Sequence, residues 1–232
     1  MSDDCEIHVK TNSGAFYQAF NVYGCDNVEI HGGHIIGERK THDPNTHPNN
    51  PKRTQGYGIA IQNSSNVLID NVDISEMWGD AIVFHTPSQL EGYNHNVTIR
   101  NCVLHDCERQ GISVVVGDNI LISNCEIYNI AGHAPESGID LEPHAQVGED
   151  GKYMDMYLRN ITIENCNIHD CVASLFCSKV DGLIVNNCKF DRDVQPVHQT
   201  TNVKFSNCTM YHVVITEDSN VNFYNCTITG MR

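Results

Sequence analysis

Apolar and polar residues alternate along this chain in short bursts, and the bursts recur. A nine-residue unit is written eight times: NVEIHGGHI from Asn27, NVLIDNVDI from Asn66, NVTIRNCVL from Asn96, NILISNCEI from Asn119, NITIENCNI from Asn160, GLIVNNCKF from Gly182, NVKFSNCTM from Asn202 and NVNFYNCTI from Asn220. Positions two, four, seven and nine are apolar or small, and the alternation changes phase at position six, which is Asn in seven of the eight copies. Asn tolerates left-handed backbone angles, so the unit reads as strand, one-residue corner, strand. Stacking the units places Asn71, Asn101, Asn124, Asn165, Asn187, Asn207 and Asn225 above one another, about 4.8 Å apart, as an Asn ladder whose amides bond from rung to rung.

A further strand precedes the units, as GIAIQ from Gly58, AIVFH from Ala81, GISVV from Gly111, GIDLE from Gly138 and ASLFC from Ala173. Each coil therefore has three short strands. Successive units begin 39, 30, 23, 41, 22, 20 and 18 residues apart, and the shortest intervals hold three strands but no helix. Neither a leucine-rich repeat nor the four-stranded blades of a propeller is written here. The pattern predicts an all-β solenoid, a parallel β-helix, as one domain over residues 1–232.

Insertions fall around the GIxLx strand, in Gly37 to Gln55, Thr86 to His95, Tyr128 to Ser137 and Pro143 to Arg159. A solenoid needs no long loops for stability, so loops gathered on one side predict groove walls. The groove-forming coils span residues 15–159, and the coils of 160–230 are nearly minimal.

Alternation within the GIxLx strands turns Ile82, Phe84, Ile112, Val114, Ile139 and Leu141 inward. One outward column then holds Asn21, Ala60, Val83, Ser113, Asp140 and Leu175; the other holds Tyr23, Gln62, His85, Val115, Glu142 and Cys177. Asp140 and Glu142 share a face about 7 Å apart at Cβ. Two neighbouring carboxylates drive their pKa values apart, as glycoside hydrolysis requires, and make these residues, with Asp80, the candidate catalytic set. His85, Arg109, Gln110, Gln62, Tyr23 and His144 are the candidate substrate contacts, Arg109 with a fork of donors suited to a sugar carboxylate. Arg109 and Glu136 each stand two residues before the glycine of neighbouring rungs, a spacing that also predicts an ion pair. His31, His34, His42 and His47 are too scattered over a repeat unit and a loop for a metal site, and none is assigned.

Composition narrows the partners. Hydrophobic residues make up 40% of the chain, enough for a core, while the net charge of −15 with 14 Lys and Arg opposes binding to nucleic acid. No run approaches the roughly 20 apolar residues of a membrane span, and MSDDCEIHVK lacks the order of a signal peptide. Of the eleven cysteines, Cys102, Cys125, Cys166, Cys188, Cys208 and Cys226 follow the ladder Asn and predict an internal stack of reduced thiols, made in a reducing cytoplasm.

The stretch RQGISVVVGDNILISNCEIYNIAGHAPESGIDLEP, Arg109 to Pro143, together with the NxxIxNC units, resembles right-handed β-helix proteins of the pectate-lyase-like superfamily, above all prophage tailspike-like proteins. The resemblance covers Asn27 to Gly230. It implies a right-handed helix, a substrate groove along the strand that precedes each unit, a polysaccharide partner, trimeric assembly and association with a virion. It also leaves several activities open. Polygalacturonase-type catalysis would want Asp-Asp where Gly79-Asp80 stands and Gly-His-Gly where Arg109-Gln110-Gly111 stands; a lyase would add calcium near Asp140, Glu142 and Arg109. The expectation is a polysaccharide-cleaving enzyme without a cofactor, a hydrolase ahead of a lyase, with a non-catalytic carbohydrate-binding or structural shaft as the alternative. With CEIHV strand-like so near one end and NVNFYNCTITG so near the other, the chain is also expected to be a portion of a longer protein or to rely on partner chains.

Overall fold

The computed structural model describes residues 1–43, 54–85, 93–143, 146–147, 153–154 and 158–230. Its strands stack into three parallel faces. Face A contains Phe16–Tyr23, Gln55–Gln62, Asp80–His85, Gln110–Val114, Ser137–Leu141 and Ala173–Ser178. Face B runs from Asp26–His31 through Ser65–Asp70, His95–Arg100, Asp118–Ser123, Leu158–Glu164, Val180–Asn186 and Thr201–Ser206 to Val221–Tyr224. Face C is built from three-residue strands such as Val103–His105, Glu126–Tyr128 and Asn167–His169. The long strand Lys189–Val197 begins on face C, where Lys189 pairs with Asn167, and ends on face A, where Val194 pairs with Leu175. Every pairing is parallel except that of Gln146–Val147 with Tyr153–Met154. The predicted β-helix of three-strand coils is the fold observed.

The corners explain the abundance of Asn. All seven predicted ladder residues have φ between 51° and 56°, but among them only Asn165–Asn187 and Asn207–Asn225 bond from rung to rung, each at 2.8 Å. Asn101 instead donates to Asp70 at 2.8 Å, and Asn207 to Asn186 at 3.0 Å. A second ladder forms where the chain enters face B: Asn66, Asn96, Asn119, Asn160 and Asn202 are all left-handed. There Asn96 donates to Asn66 at 3.0 Å and Asn119 to Asn96 at 2.7 Å. Glu76, Asp106, Asn129 and Asp170 turn the chain from face C to face A with φ between 53° and 55°.

Columns of Ile, Val and Leu fill the interior, with Ile59, Ile82, Ile112, Ile139 and Leu175 stacked beneath face A. All eleven cysteines are free. Cys102, Cys125, Cys166, Cys188 and Cys208 lie buried in the predicted stack, Cys226 is half-buried at its end, and Cys107, Cys171 and Cys177 add buried thiols elsewhere.

One assignment requires correction. Leu175 and Cys177 do not belong to the outward columns: Leu175 pairs with Ile139, Cys177 with Leu141, and both are fully buried, while Phe176 pairs with Asp140. Aligning ASLFC on its first residue shifted this strand by one. The phase that buries both Leu175 and Cys177 leaves Phe176 half-buried on the outer side, and a one-residue slip would turn the two buried groups outward.

Candidate functional site

The site is made by a break in strand alternation. On face A the register steps from Gln110↔Ser137 to Ile112↔Ile139. A Cβ added to Gly111 would sit 2.5 Å from Ile127 Cγ2 and 2.5 Å from the Gly138 carbonyl oxygen. Gly111 therefore faces inward, as does Ile112, its neighbour in the core. Two consecutive inward residues leave Gln110 and Ser113 on the same outer side. The neighbouring strands repeat the arrangement with Asp80, Ala81, Ile82, Val83 and with Ser137, Gly138, Ile139, Asp140. Asp80 and Gln110 are the first residues of their strands.

Gln110 Nε2 donates to Asp140 Oδ2, and Arg109 Nη1 approaches Asp80 Oδ1 and Oδ2 at 3.5 and 3.3 Å. Asp140 Oδ1 and Gln110 Oε1 are buried without a hydrogen-bond partner among the described residues. Asp80 is fully buried and Asp140 is 3% exposed. Burial pushes the Asp80 carboxyl up to about 7 against the pull of Arg109. Asp140 is likewise raised to about 7, first by burial and then by the charges of Glu142 and Asp80, with Arg109 and Gln110 pulling down. Glu142, one residue past the end of the strand, is exposed, and its backbone N–H donates to the Val114 carbonyl at 3.1 Å.

The remaining candidates spread along the face. Gln62 is buried and donates to Asn21 Oδ1 at 2.7 Å, His85 pairs with Gln62 in register, and Tyr23 is 51% exposed at the far end of the first strand. His144 lies outside the described residues, as does His47. The expected Arg109–Glu136 pair does not form: Arg109 turns to Asp80, and Glu136 Oε1 accepts the Gly132 N–H at 2.7 Å. Asp80 is a buried carboxylate that needs a cation, whereas Glu136 finds its donor in its own turn.

Sequence reasoning missed a buried polar cluster beside this site. Tyr17 donates to Glu38 Oε1 at 2.5 Å, and His42 Nδ1 lies 2.8 Å from the same oxygen. His42 stacks on Trp78 at 4.3 Å, two residues before Asp80. Burial first, then Glu38, raises the Tyr17 hydroxyl far above its ordinary value. Arg39 spans neighbouring coils, bonding Glu108 Oε2 at 2.6 Å, the Asp106 carbonyl at 2.9 Å and the Ala131 carbonyl. Only the run of charges in GERKTH hinted at it. Its burial of His42 separates that residue from His31 and His34, which lie near Glu29 and Asp73 on the surface.

A family model described as "Right handed beta helix region" matches residues 2–145 and 91–198. Over 175 residues the chain is 31% identical to the SPbeta prophage-derived uncharacterized protein YorA of Bacillus subtilis, covering 72% of this chain and 29% of that protein. The chain spans less than a third of the curated relatives it matches. Among solved structures, PfbA, a surface adhesin of Streptococcus pneumoniae, superposes with a TM-score of 0.59 at 14% identity, covering 90% of this chain and 62% of PfbA. The tailspike protein gp49 of Acinetobacter baumannii bacteriophage Fri1, a capsular polysaccharide depolymerase, gives a TM-score of 0.54 at 15% identity, covering 90% of this chain and 47% of gp49. These two likenesses show the fold.

Proposed function

The chain belongs to the right-handed β-helix family, and on that premise we propose that it cleaves an extended polysaccharide lying along face A, by hydrolysis, with Asp140 and Glu142 as the acting carboxyls. The observation that carries this reading is the contrast between Asp140, inside its strand, and Glu142, one residue past the strand's end. Asp140 is sheltered and held near pH 7, so it keeps a proton to give to a leaving oxygen; Glu142, exposed beside it, is placed to act on water or on the sugar. Asp80, fully buried and paired with Arg109, serves by orienting Arg109. Arg109, about a quarter exposed, is the contact for a sugar carboxylate. Gln110 fixes the Asp140 carboxyl so that Oδ1 remains unpartnered.

The acid and base are both protein groups, so the reaction runs without a metal; a lyase reaction, drawing on calcium and Arg109, ranks second. The likeness to a capsular depolymerase supports a polysaccharide substrate, and the prophage-derived relative and the tailspike likeness support association with a virion; trimeric assembly rests on the sequence resemblance alone. A non-catalytic shaft or adhesin is favoured by a different observation, the near-complete burial of Asp140, and by the likeness to PfbA. Products separate the readings. Hydrolysis releases reducing ends without the ultraviolet absorbance of an unsaturated sugar, and its rate falls as pH rises through about 7, where Asp140 loses its proton. Unsaturated products would overturn the hydrolase assignment, and an absence of products from any capsular polysaccharide or polyuronate would favour the shaft.

A further inference from the structure

We propose a second saccharide-binding site on the outer surface of face C, where a ladder of aromatic rings is interrupted. His105, Tyr128 and His169 stack there at 4.8 and 5.2 Å, with each pair of planes inclined by 5°. Ile168 pairs with Phe190, and Phe190 with Met210, so the next two places in this outward row belong to Asp191 and Tyr211. At Asp191 the ladder lacks a ring. A pocket of about 370 Å³ opens at this place, lined by Asn167, Lys189, Asp191, Thr209, Tyr211 and Thr229 above the strand backbone of Ile168 and Phe190.

The lining suits a sugar ring. Tyr211 is 43% exposed and offers a flat apolar surface. A Cβ at residue 230 would come within 2.9 Å of its ring, so the Gly230 backbone holds the ring in place. Asp191 Oδ2 accepts the Asp170 N–H at 3.0 Å, while its Oδ1 is buried with no partner among the described residues. The side chain is about a third exposed, and Oδ2, which also lies 3.5 Å from Arg192 Nη1, is the oxygen open to a sugar hydroxyl. Lys189 and Asn167 supply donors around it, and Thr209 and Thr229 supply hydroxyls. Pockets that combine an apolar floor with a few convergent polar groups are the usual form of small-ligand sites. Because Asp191 is the one acid in the lining and already holds Arg192, a second carboxylate is disfavoured and the preferred ligand is a neutral pyranoside rather than a uronate. The site lies on another face and in later coils than Asp140, and it requires no cleavage chemistry.

The test is a titration of the chain, followed by NMR of the Tyr211 ring and of the Lys189, Thr209 and Thr229 amides. The probes are methyl glucoside, methyl galactoside, methyl N-acetylglucosaminide and methyl galacturonide. At least one neutral glycoside should give saturable shifts at millimolar concentration, weakened at least about tenfold by Tyr211→Ala and about threefold by Asp191→Asn. The Asn variant retains an acceptor for the Asp170 N–H, so it tests the carboxylate without loosening the turn. The inference is overturned if no neutral glycoside moves these signals, if binding survives Tyr211→Ala, or if the galacturonide binds best. A chain without any cleavage activity would pass or fail in the same way.

Discussion

Asp140 carries a measurable cost. Its carboxyl is raised from an ordinary value of 3.8 to about 7 in the folded protein, so between those values the native state holds a proton that the unfolded chain has released. Stability is therefore greatest below about pH 4 as far as this group is concerned, and falls as pH rises toward 7. The loss is on the order of 4 kcal/mol, because each tenfold change in proton affinity is worth about 1.4 kcal/mol. Asp140→Asn, which cannot ionise, should raise stability at pH 8 by a few kcal/mol and flatten its dependence on pH in urea melts. A variant less stable than the parent at pH 8 would show that the buried carboxylate is compensated by contacts beyond Gln110 and Arg109. The Asp140–Glu142 pair was legible from alternation alone, whereas the contact of Gln110 with Asp140 was not. That contact depends on the double inward step at Gly111 and Ile112, which shifts the phase within one strand and leaves no mark in a period-two pattern.

At the scale of the strand, the same step makes Gly111 irreplaceable. Gly111→Ala drives a methyl group against Ile127 and the Gly138 carbonyl, and backbone cannot yield as a side-chain tip can, so a loss of about 1 to 3 kcal/mol is expected. Leu141→Ala and Ile112→Ala should each cost about 2 to 5 kcal/mol by opening a core cavity. Melts of the three variants check both figures, and a silent Leu141→Ala would mean that the inward phase of face A is displaced by one residue. The cysteine stack offers an independent check. Cys102, Cys107, Cys125, Cys166, Cys171, Cys177, Cys188 and Cys208 are buried, so a thiol reagent should reach these eight only on unfolding, and full reaction of the native protein would contradict the burial. Repeats made the corners and the interior legible. The second ladder at Asn96 and Asn119 was written just as openly, at position one of the unit, but an Asn that begins a strand reads as a boundary until its left-handed φ is seen.

Across the whole molecule, stacking turns short-range spacing into long columns, and each column has one character: aliphatic inside, Asn at the corners, mixed chemistry outside face A. Distant parts of the chain meet in this way, Asp80 with Arg109 and Asp140, without a loop folding over them. Sequence could place such residues on a face but not choose partners within it, as the Arg109–Glu136 expectation shows, because ion pairing is decided by which neighbour is buried. The central claim is that Asp140 and Glu142 on face A cleave a glycan. It is tested most directly by measuring reducing-end release and glycan binding side by side for the parent, Asp140→Asn and Glu142→Gln, on capsular polysaccharides and polyuronates. The expected result is release by the parent and a loss of about 100-fold or more in each variant with binding retained. Undiminished release in both variants, or binding without release by the parent on every glycan, would contradict it.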